Sequence, residues 1–104
     1  MVWSIIANFE IMNSILSILK DHKEELFANY PIKSLALFGS YSRGDNKKNS
    51  DIDIMAEMAE PNFKAYCDLY YSLKKILDKK VDLVSRDGIR DKYFRHLEKD
   101  LQYV

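Results

Sequence analysis

Residues 35–54 read LALFGSYSRGDNKKNSDIDI, and no other stretch restricts the fold of this chain as much. An apolar run, Leu35 to Phe38, stops at Gly39-Ser40, and a second run resumes at Ser50 as Asp51-Ile52-Asp53-Ile54. A strand that ends in glycine and a small hydroxyl residue can bring backbone N–H groups up to an anion. A strand that alternates Asp with Ile sends both carboxylates to one face and both isoleucines to the other. The two acids are then roughly 6–7 Å apart by Cα, given two residues of strand rise. With no Lys or Arg between them they repel unless a cation lies there. The pattern places a phosphate seat beside a divalent-metal seat.

A chain of 104 residues is expected to form one domain spanning residues 1–104. Sixteen basic residues balance sixteen acidic ones. Without a basic excess, gripping a nucleic-acid backbone directly is not expected, and near-zero net charge leaves room for a protein partner. Cys67 is the sole cysteine, so no intrachain disulfide forms, which fits a reducing, cytoplasmic setting. The N-terminus lacks the basic and small-residue signals of a secretory leader, and no apolar stretch is long enough for a membrane span.

Taken in order, residues 5–28 show helical spacing of Ile5, Phe9, Met12, Ile15, Leu16, Leu19 and Leu26. Asn8 is a possible cap for a helix starting near Phe9, and the apolar Trp3, Ile5 and Ile6 are expected to pack back on the core, with a partner contact as the alternative. Pro31 ends this element. Strands follow at Lys33–Phe38, Asp51–Met58 and Lys80–Val84, and a short helix is expected over Tyr41–Asp45. Asn62 caps a helix running to about Leu77, within which Cys67 packs as a small apolar residue. A last helix covers about Asp91–Asp100, and Gln102-Tyr103-Val104 trails away from it. The result is an α/β unit, a small mixed sheet backed by helices.

Asp82 is a third acid set among aliphatics, in Val81-Asp82-Leu83-Val84. Alone it reads as a solvated strand residue. Beside Asp51 and Asp53 on an adjacent strand it completes a carboxylate cluster suited to a nucleoside triphosphate held through Mg²⁺.

Taken together, Gly39-Ser40-Tyr41-Ser42-Arg43-Gly44, the triplet Asp51-Ile52-Asp53 and the later Asp82 resemble the nucleotidyltransferase superfamily that includes DNA polymerase beta. Most closely they resemble its minimal nucleotidyltransferases, the MNT or MntA-like family, over about Ile11 to Val104. Ser42 stands where alanine is common in these proteins. The resemblance implies a polymerase-beta-like core in which Gly39 and Ser40 hold the distal phosphates of ATP. It implies that Asp51, Asp53 and Asp82 bind the metal, two Mg²⁺ ions roughly 3.5–4 Å apart by analogy with two-metal sites. Asp82 would also position or deprotonate the attacking hydroxyl. Arg43 either touches the triphosphate with Gly39 and Ser40 or pairs with Asp45, Asp51 or another acid and braces the loop; bracing is preferred.

Gly44 is expected to permit the turn after the short helix, and Tyr41 to be exposed enough to stack on a base or face the acceptor. Lys47 and Lys48 face nucleotide, partner or solvent. Arg86, Asp87 and Arg90 are placed near the active-site end, shaping the acceptor side or capping the last helix. Larger relatives carry an added domain for the acceptor, and this chain has no residues left for one. The resemblance therefore implies a HEPN-domain ribonuclease toxin as partner, with AMP passing from ATP to a tyrosine hydroxyl of the toxin and the present chain acting as antitoxin. Two other readings stay open: an antitoxin that neutralises by binding alone, and a homodimeric transferase for a small molecule such as an antibiotic. The expected partner face combines the rim at Tyr41–Lys48 with Arg86–Arg95.

Overall fold

The computed structural model describes the backbone of residues 2–60 and 62–104 and the side chains of residues 5–60 and 62–104. Pro61 and the side chain of Trp3, the latter expected to pack on the core, fall outside that range. The elements are α1 (Val2–Asp21), α2 (Lys23–Asn29), β1 (Ile32–Phe38), α3 (Gly39–Arg43), β2 (Ile52–Met58), α4 (Phe63–Leu77), β3 (Val81–Ser85), α5 (Asp91–Leu97) and β4 (Gln102–Tyr103). Single 3₁₀ turns at Arg86–Gly88 and Glu98–Asp100 flank α5.

The four strands form one mixed sheet in the order β3-β2-β1-β4. β1 pairs antiparallel with both β2 and β4, whereas β2 and β3 run parallel. The parallel pair is joined through α4, the crossover such a connection requires. Alternation along the strands sorts the side chains onto two faces. Leu35 and Leu37 of β1, Ile52, Ile54 and Ala56 of β2, and Val81 and Leu83 of β3 share one face and are buried. Met12, Ile15 and Leu19 of α1, Leu26 of α2, and Leu69, Leu73 and Leu77 of α4 complete this core. The opposite face carries Asp53 and Asp82, in register with one another.

Asn62 caps α4 as its sequence predicts, its side-chain oxygen accepting from the Ala65 N–H at 3.0 Å. Cys67 is half-buried in α4. The Tyr66 hydroxyl donates to the Leu83 carbonyl and ties α4 to β3.

Four local expectations need correction. The single helix over 5–28 is two helices, broken at His22, whose backbone is no longer helical (φ −101°, ψ 3°). Asn8 is no cap: it lies within α1, and its Nδ2 donates to the Gly44 carbonyl at 2.9 Å and more weakly to that of Asn46 at 3.4 Å. Among the described side chains, Ile5 and Ile6 do not pack back on the core: they are 67% and 47% exposed, and Phe9 is exposed beside them. Furthermore, the C-terminal residues do not trail away. Tyr103 pairs with Ala36 and Gln102 with Leu37, which makes β1 an interior strand.

Leu69 is fully buried between α4 and the sheet. Leu69→Ala is expected to lower the unfolding free energy by about 2–5 kcal/mol. That is a large part of the roughly 5–15 kcal/mol typical of a domain. Urea denaturation followed by circular dichroism checks it.

Candidate active site

The chain direction gathers the site. β1 ends where antiparallel β2 begins, and parallel β3 begins at the same edge. Asp53 and Asp82 are each the second residue of their strand and lie directly opposite one another. Neighbouring strands are about 4.8 Å apart, so the two carboxylates share one small volume. Asp51 lies just before β2, on the same face by alternation, and is exposed. On its other side Asp53 pairs with the buried Phe38.

Burial is the main reason the Asp53 carboxyl is raised from 3.8 to about 6; the negative charges of Asp82 and then Asp51 add to it, while the Arg43 guanidinium opposes the rise. The three acids singled out from sequence are thus electrically one group.

Gly39 opens α3 with φ +73°, a left-handed conformation that disfavours any side chain. A Cβ there would also lie 2.9 Å from the carboxyl carbon of Asp53 and closer still to its Oδ2. Glycine is therefore required both by the turn and by the acid behind it. Ser40 follows as the second residue of α3, half-buried. No side chain caps the N-terminus of α3, which leaves its first N–H groups free at the edge where the acids meet. Gly44, with φ +81°, ends α3 in the left-handed C-terminal conformation that its sequence predicts.

Arg43 is a bracing residue in this structure. Its Nε lies 3.0 Å from Asp45 Oδ2 and its Nη1 3.3 Å from Asp100 Oδ2. The Ser42 hydroxyl donates to the Asp100 carbonyl, so two adjacent residues of α3 fix the same C-terminal turn. Asp100 and Asn8 are site-supporting residues that sequence reasoning missed. Each acts across a separation no local pattern spans, 57 residues for Arg43–Asp100 and 36 for Asn8–Gly44.

Two further expectations fail. Tyr41 is 5% exposed and part of the core, so it neither stacks on a base nor faces an acceptor. The Arg86–Arg90 segment is not at the active-site end. It follows the far end of β3, four residues beyond Asp82 or roughly 13 Å of strand. There Arg86 bonds the Ile89 carbonyl and Asp91 and lies over the Phe94 ring, which secures α5.

Among the described residues no three His, Cys, Asp or Glu side chains close around a point as a protein-only metal cage. Mg²⁺ rarely uses such a cage; it takes one or two carboxylates and completes its shell with phosphate oxygens and water. Oxygen donors crowded enough to repel one another, as Asp53 and Asp82 are, fit that ion.

The nucleotidyltransferase domain family matches residues 19–104. The chain belongs to that family. A Methanocaldococcus jannaschii relative, named as a candidate protein adenylyltransferase, is 45% identical over 97 residues, covering 89% of this chain and 97% of its own. The protein adenylyltransferase MntA of Thermococcus cleftensis is 32% identical over 94 residues, covering 89% of this chain and 95% of its own. Among solved structures, a toxin–antitoxin structure with AMP-PNP matches with TM-score 0.62 and 29% identity over 88% of this chain and 70% of its own. A structure of a tri-AMPylated Shewanella oneidensis HEPN toxin in complex with its MNT antitoxin matches with TM-score 0.53 and 26% identity, over 88% and 66%. The mixed sheet with its helices is thus that of the minimal nucleotidyltransferases, and the chain is a nucleotidyltransferase enzyme.

Two predictions follow from the crowding at Asp53. Gly39→Ala is expected to lower stability by about 1–3 kcal/mol, the range for a strained backbone position, and to displace the Asp53 carboxylate. Urea titration and the Asp53 carboxyl NMR shift check it. The raised Asp53 value means that the folded, metal-free chain holds this proton more tightly than the unfolded chain does. Its contribution to stability is therefore greatest below about pH 4, declines between pH 4 and about 6, and stays low above that. In EDTA, Asp53→Asn should remove this decline, with a gain over wild type at pH 7 and none at pH 4.

Proposed function

We propose that this chain is a Mg²⁺-dependent protein adenylyltransferase that transfers AMP from ATP to a tyrosine hydroxyl of a partner HEPN ribonuclease toxin and so acts as its antitoxin. The observation that carries the proposal is the in-register pair Asp53–Asp82 set against Gly39 at one sheet edge. The relatives named as protein adenylyltransferases, and the likeness to toxin–antitoxin structures, support the choice of acceptor.

Mg²⁺ bound at this edge would supply positive charge to the triphosphate and lower the pKa of an acceptor hydroxyl. Asp51, Asp53 and Asp82 would hold it. In this reading Ser40 and the free N–H groups at the start of α3 hold the β- and γ-phosphates. Asp82, the exposed member of the in-register pair, orients the acceptor hydroxyl and takes its proton on a carboxylate oxygen. The hydroxyl oxygen forms a bond to the α-phosphorus while the bond from that phosphorus to pyrophosphate breaks. Arg43 is held by Asp45 and Asp100 and acts at a distance. Its charge opposes the raised proton affinity of Asp53, and its ion pairs hold α3 in place.

The reading in which the chain neutralises its partner by contact alone draws on one observation. Ile5, Ile6 and Phe9 form an exposed apolar stretch at the start of α1. Intact mass spectrometry of the partner after incubation with the chain, ATP and Mg²⁺ separates the two. Transfer predicts mass gains in whole AMP units, reduced at least about 100-fold in rate by Asp53→Asn or Asp82→Asn, since even outer-shell losses at metal sites cost 10- to 100-fold. An unmodified but inhibited partner would overturn the catalytic reading. Binding of the ion has its own signature: Mg²⁺ should raise the melting temperature of wild type at pH 7 and leave that of Asp53→Asn unchanged.

A further inference from the structure

The apolar seam of α1 does not stop where the core stops. Ile5, Phe9, Met12, Leu16 and Leu19 follow one another at spacings of four and three residues, which sets them along one side of the helix. Met12 and Leu19 are buried, and Leu16 packs on the same core cluster. Ile5 and Phe9 are exposed, and so is Ile6 beside them. One stripe is thus core in the later turns of the helix and bare in the earlier ones. A single exposed isoleucine would need no account, whereas three large apolar side chains within five residues, continuing a core seam, do.

The bare part of the seam is fastened near the acid edge. Asn8, the neighbour of Phe9, donates from Nδ2 to the Gly44 carbonyl at 2.9 Å, and Gly44 is the residue that ends α3. At its other end α3 begins with Gly39, set directly against the Asp53 carboxylate. Five residues of helix span roughly 7.5 Å. The exposed turns of α1 therefore stand one short helix away from the acids, joined to that helix by a hydrogen bond.

We infer that the exposed seam of Ile5, Ile6 and Phe9 is the docking surface for the acceptor protein, which covers it with an apolar groove and is thereby held with its hydroxyl at the acid edge. The inference rests on the nucleotidyl-transfer reading above. Area and position decide the occupant. Three such side chains, each about half exposed or more, offer on the order of 300–400 Å² of apolar surface. A stable interface takes about 800 Å² from each partner. The seam by itself is too small to hold a second copy of this chain, and it has the size of one part of a larger interface. The rest of that interface lies on the side of α3 and the acids, and a protein that brings a hydroxyl to the acids covers both. Helical anchors at i and i+4, as Ile5 and Phe9 are, dock in apolar grooves. A chain of zero net charge has little long-range attraction to offer an acceptor, so apolar burial is the force left to hold one.

The test compares wild type with Ile5→Gln/Ile6→Gln/Phe9→Gln, in which glutamine keeps the helix-forming character of α1. A control variant, Phe63→Gln/Tyr71→Gln, removes exposed apolar side chains elsewhere. Isothermal titration measures binding of the partner HEPN toxin and of ATP with Mg²⁺, light scattering measures the mass of each chain alone, and intact mass spectrometry measures AMP transfer to the partner. The seam variant should bind the partner at least about tenfold more weakly, the loss of one good apolar anchor or more. Its KM for the partner should rise to match, and its affinity for ATP should equal that of wild type. The control variant should bind the partner as wild type does. Equal partner binding by wild type and seam variant would overturn the inference. A wild-type dimer that the seam variant dissolves, with partner binding unchanged, would overturn it in favour of a contact between copies. Loss of the partner by the seam variant, where wild type binds the partner but transfers no AMP, would instead overturn the transfer reading and leave the seam as a partner surface.

Discussion

Two carboxylates held side by side on neighbouring strands repel, and the rest of this small fold is arranged around that repulsion. Asp53 and Asp82 face one another because β2 and β3 run parallel in a register that aligns their second residues. That register is fixed from beneath by the buried pairs Ile52–Val81 and Ile54–Leu83, which α1 and α4 cover. Slippage by one residue would turn these apolar side chains to the open face and the acids into the core. The hydrophobic core therefore specifies the spacing of the acids although it never touches a ligand. Stability that the apolar face supplies is partly spent on keeping like charges together, as expected where function and folding make opposite demands.

The same edge is built from three directions. Gly39 lets the chain turn closely behind Asp53, where any side chain would collide with the carboxylate. Asn8 of α1 holds the carbonyl that follows α3, and Asp100 beyond α5 holds Arg43 in α3. The five-residue helix α3 is far too short to persist by itself. It is a product of these attachments and of Tyr41, which anchors it in the core.

Much of this was legible in the residues. The alternation Asp51-Ile52-Asp53-Ile54 fixed a strand with an acidic face, the isolated Asp82 marked its neighbour, and Asn62 marked the first turn of α4 to the residue. The misreadings have physical causes. Periodicity ran through the break at His22 because the apolar spacing continues across it. Asn8 has the chemistry of a helix cap but uses it on a distant loop. Tyr41 follows a glycine turn, a position that reads as loop surface, yet one turn of helix rotates it inward. Arg86 and its neighbours were placed at the wrong end because nearness in sequence to Asp82 hides the length and direction of β3. The two-residue β4 is too short for any period to reveal it.

The fastening of α3 to Asp100 bears on the order in which this molecule is assembled. Ser42 and Arg43 reach partners 58 and 57 residues onward, so the loop they close spans more than half the chain. Closing a loop that long is entropically late compared with forming the β2–α4–β3 unit, whose contacts are local. A chain still emerging from synthesis, or one that has frayed at its C-terminal turn, would have its acids in register before α3 has its fastening. The fastening of α3 thus reports on completion of the whole fold, and an unfinished molecule carries an acidic edge before the helix beside it is held in place.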